Sequence, residues 1–203
     1  MPSAIKTFSD HRHIVFNGNG YDEAWLREAE KRGLCNLPST PDALPAYLAP
    51  KNVELFTRHG IYTKQEMTAR GEIHIENYST VITIEANTMV DMIRHDILPA
   101  VSAYAGDLCQ RIRNKTACAM PCRYETSTAA ELCRLTDDLQ TACEKLAADA
   151  ARRPTEPRAA MHYCRDVLVA DMAAARQIAD RLEVITDGKY WPFPTYSEML
   201  YYL

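Results

Sequence analysis

The chain has 203 residues, with 23 Lys+Arg against 27 Asp+Glu, and a net charge of −4. That mild acidity excludes the basic footprint of a nucleic-acid-binding domain, and the longest stretch free of charged residues, the ten residues Ile97–Gly106, is half of what a membrane-spanning helix needs, about 20. Seven glycines in 203 residues are about half the usual share of roughly 7%, which leans towards helix because tight β-turns consume glycine.

The first sixty residues are broken by turn formers. His13-Ile14-Val15-Phe16 is a short β-like run, and Asn17-Gly18-Asn19-Gly20 must turn after it, since Asn and Gly tolerate positive φ. Asp22 can cap a helix carrying Trp25, Leu26 and Ala29, which Gly33 ends as a left-handed residue. Thr40-Pro41 opens another short helix, with a cap followed by proline in the first turn. Pro45 and Pro50 keep the segments short, and Asn52 to His59, stopped by Gly60, is one more.

From Thr63 the character changes. Thr63-Lys64-Gln65-Glu66 is a capping box. Ile75, Tyr78, Ile82, Ala86, Met89, Ile93, Ile97, Val101, Tyr104, Leu108 and Ile112 then recur at gaps of three or four, the spacing of one helix face. Pro99 sits inside this run and should kink it. Residues 64–116 would span roughly 80 Å as one helix. Ala117 to Thr126 reads as a loop, and Thr128-Ala129-Ala130-Glu131 as a second capping box. Leu132, Leu135, Leu139, Ala142 and Leu146 follow with the 3–4 alternation of a heptad seam. A third helix, 158–185, is marked by Met161, Cys164, Leu168, Met172, Ala175, Ala179 and Leu182. The expected fold class is all-α: a long antiparallel three-helix bundle preceded by short helices and loops. Tyr190, Trp191, Phe193, Tyr196, Tyr201 and Tyr202 make the terminus too aromatic to be a solvated tail. We expect it to dock, with Trp191 and Phe193 as anchors in a groove formed by the short helices between Asp22 and His59.

No constellation reads as a reaction centre. His11 and His13 lack a third ligand and flank Arg12, and Cys118/Cys122 has no second Cys/His pair downstream. Asp91 and His95, at i, i+4, suit a base held by a carboxylate but are accompanied by no nucleophile, so we read a structural pair. Glu72, His74 and Glu76 scatter around a helix as a solvated surface. Cys133, Cys143 and Cys164 sit on helices as small hydrophobes. Asn17–Gly20 lacks both the G-x-G-x-x-G spacing and the Lys-Ser/Thr ending of a phosphate loop. We therefore assign no catalytic, cofactor-binding or metal residue. An odd cysteine count, and no apolar signal-peptide core after Met1, fit free thiols in a reducing cytoplasm.

Several motifs in one order carry a resemblance. Ile14-Val15-Phe16-Asn17-Gly18-Asn19-Gly20-Tyr21, Glu28-Ala29-Glu30-Lys31-Arg32-Gly33-Leu34 and Asn36-Leu37-Pro38-Ser39-Thr40-Pro41-Asp42-Ala43-Leu44-Pro45 come first. Asn52–Phe56, Glu76-Asn77-Tyr78, Ile84-Glu85-Ala86, Ile97–Val101 and Tyr190-Trp191-Pro192-Phe193-Pro194-Thr195-Tyr196 follow. Together they resemble the C-terminal region of type III glutamine synthetases over about residues 5–203. The resemblance implies a parent that ligates ammonia to glutamate with ATP and Mg, in large homo-oligomeric rings. It places the ligands for ATP, metal and glutamate in a catalytic barrel upstream, and none of those motifs is present here. Residues 1–62 would join the parent's catalytic region, and 63–203 would form the bundle with its tail. The implied partners are that catalytic domain and neighbouring subunits, with no nucleic acid and no membrane. Three roles follow: a structural or assembly module without chemistry of its own, a segment whose Asp91–Asp96 stretch completes or gates an active site, or a freestanding interaction module.

Overall fold

A computed structural model describes residues 2–12, 15–194 and 196–200. Four short helices come first: α1 (Pro2–Asp10), α2 (Glu23–Lys31), α3 (Thr40–Tyr47) and α4 (Pro50–Arg58). Three long arms follow. The first is α5 (Lys64–Met92), a π-helical segment Ile93–Ile97 and α6 (Leu98–Ala117); the second is α7 (Arg123–Ala151). The third is α8 (Pro157–Tyr163), a second π-helical segment Cys164–Leu168 and α9 (Val169–Ile185), and α10 (Tyr196–Leu200) is the last described element. Among the described residues there is no strand. Val15 and Phe16 lie in irregular chain, with Phe16 stacked on Trp25 at 4.2 Å between centroids. A lone apolar run without a partner strand has nothing to pair with. His13 and Ile14 lie outside the described residues.

The helix ends follow from side chains. Asp22 accepts from the Ala24 amide at 2.7 Å and caps α2. Thr63 and Glu66 complete the expected box at the head of α5. Helix α3 is capped by Ser39, one residue before the expected Thr40, and Pro41 falls in its first turn. Gly33 and Gly60 take φ of +73° and +64°, and the amides of Leu34 and Ile61 return to the carbonyls of Ala29 and Phe56. This is the Schellman closure. Ala119 does the same without glycine, at φ +53°, and Met120 N–H returns to Lys115. Asn17–Gly20 turns without positive φ, contrary to expectation; the Asn19 side chain accepts from the Tyr21 amide at 3.1 Å.

Two boundaries differ from expectation. The tight closure at Ala119 lets α7 begin at Arg123, so the loop is shorter than 117–126 and Thr128–Glu131 lies inside a helix rather than forming a capping box. In place of the expected kink at Pro99, the first arm carries a π turn just before it: Leu98 N–H reaches back five residues to Ile93. The wider turn relieves the clash between the proline ring and the preceding turn.

The core is the shared seam of the three arms. Ile75, Ala86, Ile93, Ile97, Val101, Tyr104 and Leu108 of the first arm are buried. So are Leu132, Leu135, Leu139 and Leu146 of the second, and Met161, Leu168, Ala175 and Leu182 of the third. Cys143 and Cys164 pack as small hydrophobes and donate to α5 carbonyls, Cys143 Sγ to Val90 and Cys164 Sγ to Ser79, both at 3.8 Å. Cys133, expected beside them, is exposed. Helix α3 is tied on by Arg165, whose guanidinium reaches Asp42 at 2.7 Å. Gly71 admits Leu48 against α5, where an added Cβ would stand 2.8 Å from a Leu48 methyl.

The tail docks elsewhere than expected. Tyr190, Trp191 and Phe193 pack against the bundle core rather than between α2 and α4. The Tyr190 ring lies 5.2 Å from that of Tyr104, and Trp191 meets Phe193 edge-on at 6.0 Å. Helix α3 instead lies on α5, with Tyr47 edge-on to His74 and Leu48 against Gly71, while Phe56 of α4 packs on Tyr47. Tyr201 and Tyr202 lie outside the described residues.

Candidate functional site

The residues weighed for chemistry do not converge. His11 is exposed at the end of α1, and His13 lies outside the described residues. Cys118 is exposed in the α6–α7 turn, and the Cys122 sulfur takes a hydrogen bond from Thr126 at 3.7 Å. Among the described residues no three His, Cys, Asp or Glu side chains are grouped as metal ligands. Asp91 Oδ1 and His95 Nδ1 do meet, at 2.7 Å, with both side chains more than two-thirds exposed (72% and 71%). Within this chain the pair is an exposed i, i+4 contact, the kind that contributes little to stability. Glu72, His74 and Glu76 are exposed, the His74 ring lying edge-on to Tyr47. Burial pushes the thiols of both Cys143 and Cys164 up, away from the thiolate.

The ionic contacts serve to clamp helices. Lys145 of α7 bridges Asp149 at 2.9 Å and Asp171 of α9 at 2.5 Å, and Arg181 of α9 reaches Glu131 of α7 at 3.1 Å. Glu125, in the first turn of α7, is buried and bound to Lys115 of α6 at 2.5 Å. The hydrogen bond from Lys115 holds its carboxyl below the usual glutamate range. A carboxyl depressed in the folded state stabilises fully above its unfolded pKa, and the contribution is lost as pH falls through the lower folded value. Glu125→Gln should therefore show a shallower loss of stability on acidification than the wild-type chain. Identical acid-unfolding curves for the two would contradict this assignment.

The feature with the shape of a binding site was not foreseen. It is a groove of about 470 Å³ between α5 and α9, closed at one end by Trp191 and Phe193 of the docked tail. Met89, Ile93, Ile97, Ala175 and Ala179 form its floor. Glu85, Asp180 and Glu183 stand at its rim with Arg176, which pairs with Asp180 at 2.7 Å. The sequence signal was present in the helix patterns of α5 and α9, but it takes the tail's position to turn two helix faces into a groove. A solvent-facing apolar stripe continues along α5 through Ile73, Val81, Ile84 and Met92.

Residues 3–116 match the protein family described as "Glutamine synthetase C-terminal domain". The chain is 39% identical over 202 residues to a glutamine synthetase from Butyrivibrio fibrisolvens, an alignment covering 98% of this chain and 29% of the relative. It is 32% identical over 206 residues to a type-3 glutamine synthetase from Dictyostelium discoideum, covering 96% of this chain and 28% of that protein. A glutamine synthetase from Bacteroides fragilis (strain YCH46) is 26% identical over 197 residues, 93% of this chain and 27% of the relative. The chain thus spans less than a third of the length of these relatives.

Proposed function

The chain belongs to the glutamine synthetase C-terminal domain family, and from that membership we propose that it serves as a structural and assembly module of such a ligase, performing no chemistry with its own residues. The parent reaction on this reading is the ATP-dependent ligation of ammonia to glutamate in the cytoplasm. On this reading ATP and Mg belong to the remainder of the longer enzyme, as the family implies. Residues 1–62 lead in from the catalytic region and 63–203 form the module. Its partners are that catalytic region and neighbouring subunits of a homo-oligomer.

The observation that carries the proposal is the exposed apolar stripe on α5, with Ile73 62% and Ile84 59% exposed. A stripe of that kind supports a protein-facing surface, while most polar groups considered for chemistry are exposed on the surface or used in clamping helices. Assay of the isolated chain for ATP-dependent γ-glutamyl transfer tests the reading. The expected result is no turnover, and turnover that survives purification would overturn it.

A further inference from the structure

Among the described residues, two uncovered apolar faces are complementary in shape and charge. The first is the concave groove between α5 and α9, whose rim carries three carboxylates, Glu85, Asp180 and Glu183, against the one guanidinium of Arg176. Arg176 is already engaged with Asp180, so Glu85 and Glu183 present uncompensated negative charge beside an apolar floor. The second is convex. Helix α1 shows Ile5 and Phe8, 74% and 69% exposed, one turn apart on the same side. Lys6 and Asp10 within the helix and Arg12 just beyond it are all exposed beside that pair, two cations against one carboxylate. At nine residues α1 is about 13 Å long, and the groove lies in the size range of a built binding site, roughly 300–1,000 Å³.

We propose that the groove receives helix α1 of a second copy of this chain, with Ile5 and Phe8 of that copy on the floor and its Lys6 and Arg12 opposite Glu85 and Glu183. The proposal deepens the assembly role and rests on it. It uses the helix-in-groove mode, in which an amphipathic helix lays i and i+3 anchors into an apolar slot. Each copy offers one patch and receives a different one: two copies that exchange α1 helices close as a two-fold dimer, and a one-way contact runs on as a ring or a filament. Desolvation of the apolar floor supplies the attraction, and the flanking charges set orientation and encounter rate.

Sedimentation velocity of the whole chain over a range of concentrations tests this. Concentration-dependent association is expected, weakened roughly tenfold or more by Phe8→Asp, as for loss of a central anchor. Phe8 is exposed, so circular dichroism and melting should be unchanged, separating lost docking from lost folding. The chain carrying Lys6→Glu and Arg12→Glu should not self-associate, nor should the chain carrying Glu85→Lys and Glu183→Lys; mixing the two should restore association. A chain that stays monomeric throughout overturns the proposal, as does association indifferent to Phe8→Asp, or charge-reversed chains that fail to recover on mixing. None of these results bears on whether the isolated chain turns over substrate, so this proposal and the assembly reading without chemistry fail separately.

Discussion

Leu139→Ala should lower the stability of the chain by about 2–5 kcal/mol, the usual range for a large-to-small change in a packed core. Leu139 has no exposed surface and sits in the middle of α7, the arm that touches both of the others. Its neighbours on the same seam, Leu132, Leu135 and Leu146, are at most 1% exposed. None of them can collapse into the gap without giving up contacts of its own, so the cavity persists. Domains of this size lose roughly 2–4 °C per kcal/mol, so the melting temperature should fall by about 4–20 °C. The control is Gln140→Ala, one residue along on the exposed side, which should stay within about 0.5 kcal/mol. An unchanged melting temperature for Leu139→Ala would sink the three-arm core.

Trp191→Ala should cost about 1.5–3 kcal/mol, less than a fully buried tryptophan because the ring is only half-buried. The indole closes the end of the groove, touches Phe193 and packs on the core of the bundle. Removing residues 190–203 should cost more, since Tyr190 leaves with it. That ring lies against Tyr104, whose phenol is pushed up to about 12 by burial and by the Tyr124 hydroxyl beside it. Pro192 and Pro194 restrict the unfolded tail and so reduce the entropy that docking must overcome. The check is thermal melting of both variants, with tryptophan emission of the intact chain against a Trp25→Phe background. A truncated chain that melts with the wild type, and a Trp191 that emits like a solvated indole, would show that the tail is not docked.

How far these features could be read from the sequence depends on their range. Periodicity located the arms because a buried helix face repeats every three or four residues, and Ile75 through Leu108 keep that repeat across a π turn. Pro99 announced a distortion in the first arm. Nothing local announced the π turn at Cys164–Leu168, where no proline lies and the chain continues with Cys164 and Leu168 both fully buried. The capping box at Thr63 was legible because its hydroxyl and carboxylate satisfy each other. The one at Thr128 had the same letters, but a Schellman closure on a non-glycine residue, Ala119, had already returned the chain to helix. The tail's aromatic content signalled docking. Its partner surface did not follow, since the competing sites are set by how α3 and α4 spread over α5. The groove was invisible for the same reason: its two walls and its end come from segments about ninety residues apart.

The central claim is that this module holds the longer ligase together and does not contribute to its chemistry. The most direct test is the particle mass and single-site turnover of a full-length type III glutamine synthetase that carries this region, compared with the same enzyme carrying Leu139→Ala and Leu135→Ala at the bundle seam. The account predicts that the mutant loses oligomer mass, and that the turnover remaining per assembled subunit is unchanged. Full-size particles with turnover lowered at every subunit would contradict it, because the module would then be acting on the reaction rather than on the assembly.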